Sequence, residues 1–466
     1  MIATMLVVFI IGYIFIALEH KTRINKTAIS LVLGILLWTL YIFSNPSIII
    51  QAAPTAFQEF ISDHPEYNQL PLQKQVQNYI TDINIIQHIG SISEILFYLL
   101  GAMVIVEVID SYHGFEIITR KIKTNNRRKL LWIISLITFF MSSVLDNMTS
   151  AIIMILVIQK LLCEQKERWL FGGLIIIAAN AGGAWTPIGD VTTIMLWIHN
   201  NISSGHIMKS IFLPSLISLL VPLVISTFLI KKEQATALQP TSNPQSAINK
   251  AISIQVLSIG VLCLLSVPLF KSITTLPPFA GIMLALGIFW IYTDFITPKS
   301  LQDLEFSFTK LIAKTDFSTI LFFLGILMAV AALESIGILH LFSQWLDLHV
   351  HNIYLINLAI GLLSAIIDNV PLVAAAIGMY PIPSETLIGN SPEAHYLIHF
   401  VQDGDFWNLL AFCAGTGGSL LIIGSAAGVV VMGLEKINFI WYTKKITWQA
   451  FLGFLAGLGT YYLLNF

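Results

Sequence analysis

The chain reads as an all-α polytopic membrane protein of two inverted repeats, each with about five transmembrane helices, a re-entrant hairpin and a broken helix. Three observations predict this. The 466 residues are 56% hydrophobic and only 11% charged, with a mean hydropathy of +0.81, a balance foreign to soluble domains of this length. The dipeptide Asp-Asn lies in the middle of two apolar stretches, as Asp146-Asn147 and Asp368-Asn369. The sequence around these pairs recurs, in the same order, in both halves of the chain.

The apolar runs define the elements. Runs near 2–18, 28–43, 93–112, 170–198, 211–230, 252–270, 279–297, 318–336, 406–434 and 447–465 are long enough to cross a bilayer, some with tilt. The first is followed, not preceded, by its positive charges, so it reads as a retained span rather than a signal peptide. Stretches at about 131–163 and 352–380 carry the Asp-Asn pairs at their centres. Each half of these is about 15 residues, short of the ~20 that a crossing needs, and fits one arm of a hairpin whose tip is the aspartate. The polar stretch 44–92 reads as an external loop with one surface helix. The stretch 231–250, KKEQATALQPTSNPQSAINK, has linker composition and divides a first repeat, 1–230, from a second, 251–466. Broken helices are expected at about 170–198 and 406–434.

Basic residues orient the chain. With the N-terminus outside and each hairpin returning to its own side, nearly all Lys and Arg fall in the cytoplasm, including the 120–129 cluster, Lys166, Arg168, Lys231, Lys232, Lys436 and Lys444. Only Lys74, Lys209 and Lys271 fall outside. A single crossing at either Asp-Asn stretch would reverse everything after it and erase that bias. The linker is then cytoplasmic and both termini are external. The net charge of −2 gives no footprint for nucleic acid. Cys163, Cys263 and Cys413 are far apart with no CxxC, and frame neither a disulfide set nor a zinc site.

Three segments repeat. ILFYLLGAMVIVEVIDS (95–111) matches ILFFLGILMAVAALES (320–335), with Gly101, Asp110 and Ser111 on Gly325, Glu334 and Ser335. VLDNMTSA (144–151) matches IIDNVPLVA (366–374), and AANAGGAWTPIGD (178–190) matches CAGTGGSLLIIGS (413–425). Five crossings per repeat is an odd number, so the second copy is upside down relative to the first.

The polar residues within these repeats are the candidate site. A carboxylate at membrane depth costs about 2.5–3.5 kcal/mol on insertion scales and calls for a role. Hairpin tips expose backbone groups that hydrocarbon tolerates only where they line a cavity or are buried in protein. Asp146, Asn147 and Thr149 add oxygens at the first tip, Asp368 and Asn369 at the second, and such donors suit hard cations. The plainer alternative is that each aspartate only caps the helix after it. In the first broken helix, Gly182, Gly183, Pro187 and Gly189 disfavour continuous helix, and Asn180, Asp190, Thr192 and Thr193 stand beside the freed carbonyls. The second copy keeps the glycines and has Ser425 in place of Asp190. Glycines for close helix packing explain the first fact but not the aspartate. Glu107 and Asp110 share a helix face, with Glu334 aligned to Asp110; they read either as a proton path or as interfacial residues paired with a base such as Arg120. The outer histidines His340, His349, His351, His395 and His399 read as solvated loop residues, with a pH sensor as the alternative.

Together, GAMVIVEVIDSYHGFEIIT, DNMTSAI, IAANAGGAWTPIGDVTT, LFFLGILMAVAALES, DNVPLVAAAIGMY and FCAGTGGSLLIIGSAAGVVVMGLEKI resemble the NhaD-type sodium/proton antiporters of the ion transporter superfamily, over almost the whole chain. The resemblance implies a secondary transporter, not an enzyme. It implies exchange of Na⁺, often also Li⁺, for H⁺ with no cofactor, an elevator-like motion and a homodimer in the bilayer. Carried over, it points to Na⁺ at Asp146, Asn147, Asn180, Asp190, Asp368 and Asn369, with Thr192, Thr193 and Ser425 nearby and Glu107 and Glu334 as further acids. Trp185 is bulkier than the phenylalanine associated with that place in the family. Dicarboxylate transporters of the superfamily carry neutral Ser-Asn-Thr at the tips. Here both tips begin with Asp, which repels an anion and attracts a small cation.

The mechanism this suggests is competition. A buried carboxylate holds a cation or a proton, and a site that crosses with one or the other couples the two flows; Asp146, Asp190 and Asp368 are the competing acids. A sodium-coupled organic-anion or arsenite transporter on the same fold is the main rival. An intramembrane aspartyl protease has no use for duplicated hairpins, and a channel has none for exchangeable buried acids. The expected setting is a bacterial plasma membrane.

Overall fold

The structure is a computed structural model that describes residues 1–17, 19–115, 124, 126–230, 250–296, 308–391 and 393–465. Among these residues every regular element is a helix. In chain order the principal helices are α1 (Ile2–Ala17), α2 (Lys26–Ile42), α3 (Pro46–Ala52), α4 (Pro54–Asp63), α5 (Leu72–Tyr79), α6 (Ile85–Ser111), α7 (Arg127–Leu145), α8 (Asn147–Leu161), α9 (Gln165–Gly183), α10 (Val191–Ile198) and α11 (Ser204–Leu229). After residues 231–249, which hold the expected linker and lie outside the described residues, come α12 (Lys250–Thr274), α13 (Pro278–Ile296), α14 (Phe317–Ser335), α15 (Ile338–His349), α16 (Ile353–Leu363), α17 (Asn369–Met379), α18 (Asp405–Gly417), α19 (Ala426–Glu435), α20 (Phe439–Lys445) and α21 (Thr447–Asn465).

By length and composition, six described helices can cross a membrane: the continuous Leu72–Ser111, α7, α11, α12, α13 and α14. The pair α2–α3, bent by 105°, makes a seventh where the two are one span. The bend falls where Asn45 caps α3 and Pro46, lacking an N–H, takes its first position. The protein is therefore multi-pass, though fewer unbroken spans qualify than the ten apolar runs suggested. α1 has 16 residues, and the runs at 170–198 and 406–434 are each divided into two helices, α9–α10 and α18–α19. α21 has the length, at 19 residues, but its glycines and tyrosines leave it short in apolarity.

Two expectations need correction. The segment 44–92 is not one loop with one surface helix. It is mostly helical, and the helix expected at 93–112 extends back to Leu72. Its apolar residues are spaced for helix faces: Phe57 and Phe60 both pack edge-on to Tyr79, each at 5.6 Å between ring centroids. The first hairpin arm is also longer than about 15 residues. Asn126 accepts the Arg128 and Lys129 N–H groups and starts α7 early, giving 19 residues and spanning length.

The described residues form two compact units. One comprises 1–97, 316–352 and 374–381. In it α2 and α14 lie side by side, tied by Thr27 Oγ1 to the Ser318 carbonyl at 3.0 Å, Trp38 Nε1 to the Met328 carbonyl at 2.9 Å and the Tyr41 hydroxyl to the Ser335 carbonyl at 3.2 Å. The other comprises 98–315, 353–373 and 382–466. Here α7 and α8 fold against each other and both against α9; α16 packs on α18, and α11 on α21. Each unit draws on both halves of the chain.

Candidate ion-binding site

The site is built in the second unit from two breaks and two tips. At the first tip, the chain turns from α7 into α8 on Asp146 alone, with φ 116° and ψ 161°. Only glycine visits that region readily, and holding another residue there costs about 1–3 kcal/mol. The Asp146 carboxylate caps α8, accepting the Thr149 N–H at 2.7 Å and its hydroxyl at 2.8 Å. The capping alternative is thus realised in geometry, at a strained position.

The turn sends the next residue, Asn147, inward. Its Nδ2 donates to Asn180 Oδ1 at 3.1 Å and to Asp190 Oδ1 at 3.2 Å. Asp190 begins α10 after the first break, 2% exposed. Its Oδ2 accepts the Thr192 hydroxyl at 2.8 Å and, from the second tip, Asn369 Nδ2 at 3.0 Å. Charge-assisted bonds contribute about 1.5–3 kcal/mol each. Three of them offset the several kcal/mol that burying a carboxylate costs. On the far side, Asn180 Nδ2 donates at 2.9 Å to both Ser419 Oγ and Ser425 Oγ in the second break.

The two halves make the same contacts at aligned positions. Ser142 Oγ donates to the Ala179 carbonyl; Ser364 Oγ, its counterpart, donates to that of Ala414. A Cβ on Gly182 would lie 2.2 Å from the Phe139 carbonyl oxygen, and one on Gly417 would lie 2.2 Å from that of Gly361. Hydrogen at these two positions is what lets a tip helix touch a broken helix. Asp190 (φ −147°, ψ 150°) and Ser425 (φ −144°, ψ 156°) also share a backbone conformation at the start of α10 and α19.

Of the residues expected from sequence, Asn147, Asn180, Asp190, Thr192, Asn369 and Ser425 form one hydrogen-bonded network. Asp146 and Thr149 bond to each other at its edge, and Asp368 Oδ1 accepts the Val370 N–H. Thr193 turns its hydroxyl onto the Asp190 carbonyl. Glu107 accepts the Ser111 hydroxyl at 3.3 Å on its own helix, with Asp110 exposed there. Arg120, offered as their partner, lies outside the described residues. Glu334 belongs to the other unit, against Gly378. His340 and His349 lie on α15 rather than in loops and, like His351 and His395, are exposed, while His399 pairs with Asp405 at 3.1 Å. Trp185 stacks on Phe139 and meets Phe212 edge-on. Ser419 was missed, although it lies within the quoted second break, because its counterpart is the apolar Ala184. Among the described residues no three His, Cys, Asp or Glu converge as for a resident metal; the donors here are one carboxylate with amides and hydroxyls.

The family model for the citrate transporter family CitMHS matches residues 13–398. The chain belongs to this family. CitMHS membership, with the helical spans, makes it a membrane transporter rather than an enzyme. Among its relatives is sodium/proton antiporter 2 of Arabidopsis thaliana, 41% identical over 459 residues, 98% of both chains. Sodium/proton antiporter 1 of the same plant is 42% identical over 98% of this chain and 71% of its own. The Na⁺/H⁺ antiporter NhaD of Vibrio cholerae is 27% identical over 99% of this chain and 91% of its own.

Proposed function

We propose that this CitMHS member exchanges Na⁺, and also Li⁺, for H⁺, with Asp190 as the central shared ligand. The observation that carries the reading is the convergence of Asn147 and Asn369, aligned residues from two hairpin tips, on one buried carboxylate. A 180° rotation of either amide presents Oδ1 instead of Nδ2. The same side chains then serve a cation-bound carboxylate or a protonated one. Asp146 and Asp368 hold negative charge beside the path, and Asn180, Thr192, Ser425 and backbone carbonyls at the breaks complete an oxygen-rich set for a hard cation. Full-length relatives named as sodium/proton antiporters support the same ions. The aligned contacts of the two halves support an internal repeat at 1–230 and 251–466, inverted by the parity of its crossings. External termini and a homodimer belong to this reading. The membrane is an energised one, bacterial or organellar, since the relatives come from bacteria and a plant.

The family's name, citrate transporter, favours a second reading: a sodium-coupled carrier of an organic anion. One experiment separates them. Everted vesicles from cells lacking their own antiporters are energised to an acid interior, then given NaCl, LiCl, KCl or sodium citrate at neutral to alkaline pH. Loss of the proton gradient with NaCl and LiCl but not KCl, and loss of that response in Asp190→Asn, is the expected outcome. Citrate uptake with no response to NaCl alone would discard antiport in favour of anion transport.

A further inference from the structure

We infer that Arg168 and Glu435, which touch no residue of the network, are positioning residues for it, acting along α9 and α19. This rests on the antiport reading above. The two helices belong to different halves of the chain and pack side by side. At the inner end they are joined by Asn180 and Ser425 at 2.9 Å. At the outer end Arg168 Nε meets Glu435 Oε2 at 2.9 Å, and Trp169 Nε1 donates to the Glu435 carbonyl at 3.0 Å. Between the ends, a Cβ on Gly172 would fall 3.3 Å from Val431. The result is a frame with two fastened ends. At 1.5 Å per residue, the outer fastener stands about 18 Å along α9 from Asn180 and about 15 Å along α19 from Ser425.

The outer fastener is built for more than surface pairing. The Glu435 side chain is 1% exposed. Its Oε1 is buried with no hydrogen-bond partner among the described residues, so Arg168 is the cation the structure gives it. The same guanidinium donates Nη1 to the carbonyls of Leu162 and Cys163 at 3.1 and 3.0 Å, just past the end of α8. One side chain therefore fixes the base of the first hairpin, the start of the first broken helix and the end of the second. These are the elements that carry Asn147, Asn180 and Ser425. The register that aligns Asp190 with Ser425 carries Arg168 onto Asp403. There the arrangement recurs with other chemistry: the Asp403 N–H donates to the Asn201 carbonyl at 2.9 Å, and its carboxylate accepts the Ser203 N–H. The start of each broken helix is thus tied to the end of the other.

The test uses the purified full chain in two assays. One is the rise in thermal unfolding temperature on adding Na⁺; the other is the Na⁺ half-saturation and maximal rate of exchange in proteoliposomes. Substitutions that act on a site through intervening packed elements typically change its affinity about 2- to 30-fold. Glu435→Gln is expected to raise the Na⁺ half-saturation about 10-fold and to shrink the Na⁺-induced shift; because it leaves the Arg168 guanidinium without its anion, it also lowers the unfolding temperature without Na⁺. Glu435→Asp, which keeps the charge and withdraws it by one methylene, is expected to move both in the same direction by less. Unchanged half-saturation in either variant overturns the proposal, and Glu435→Asp decides it if Glu435→Gln does not fold. A wild-type chain indifferent to Na⁺ in both assays overturns the antiport reading itself, and this one with it.

Discussion

At the residue scale, Asp146 separates structure from function most sharply. Its backbone sits where glycine is at ease, and its carboxylate caps α8. Gly in its place relieves about 1–3 kcal/mol of strain and, as an N-cap, loses only a few tenths of a kcal/mol. Asp146→Gly is thus expected to match or exceed wild type in thermal stability, whereas Asp146→Ala keeps the strain, loses the cap and falls by about 1 kcal/mol. If the carboxylate serves the ion, both variants lose Na⁺/H⁺ exchange despite their opposite stabilities. A stable Asp146→Gly that exchanges normally would reduce Asp146 to a cap. Sequence reasoning found this residue because a carboxylate in an apolar run announces itself. It ranked Asp146, Asp190 and Asp368 alike, since no pattern in the chain tells that the tip asparagines, not the tip aspartates, reach Asp190. At the first tip that geometry depends on a one-residue turn with positive φ, a property of backbone sterics that the letters do not spell. Ser419 escaped for a related reason: alignment favours positions that match, and a serine opposite an alanine does not.

At the element scale, local chemistry accounts for the breaks, and hydropathy alone does not give the arm lengths. Glycines, joined by a proline in the first case, disfavour continuous helix inside an apolar run, and the chain there is divided into α9–α10 and α18–α19. The start of α7 was misplaced because its first turn is Arg127-Arg128-Lys129, which hydropathy discards although Asn126 caps it. Residues 44–92 were misread for the same reason: a half-buried amphipathic helix is too polar for a span and too ordered for a loop. The two halves can be tested as elements. A Cβ 2.2 Å from a carbonyl oxygen cannot be accommodated without moving a helix, and overpacking of this kind costs about 1–3 kcal/mol or more. Gly182→Ala and Gly417→Ala are therefore expected to lower the unfolding temperature to a similar degree and to abolish exchange. Gly287→Ala in α13, where nothing lies within 4 Å, is expected to be neutral or to stabilise by up to about 1 kcal/mol. A harmless Gly417→Ala beside a damaging Gly182→Ala would mean that the halves are not built alike.

At the scale of the whole molecule, the topology turns on parity. Between residue 163 and residue 393 the proposed topology counts the broken α9–α10, then α11, α12, α13 and α14, each crossing once, and a hairpin that does not cross. The number is odd, so the two positions face opposite sides. The positive-inside pattern names the sides: Cys163 lies among Lys160, Lys166 and Arg168 and should be cytoplasmic, while Glu393 stands in a stretch with no Lys or Arg. The chain supplies its own probe, because the Cys163 thiol is exposed whereas Cys263 and Cys413 are buried. A membrane-impermeant maleimide is expected to label the wild-type chain in everted vesicles and not in intact right-side-out cells. Glu393→Cys, placed in a Cys163→Ser background, is expected to react in intact cells. Reaction of both from the same side would make the parity even and remove the inverted repeat, since the second half could not then be upside down. Reaction from opposite sides with the two exchanged would keep the repeat but turn the protein over. The mouth of the first hairpin would then face outward, and the charge pattern of the loops would need a different cause.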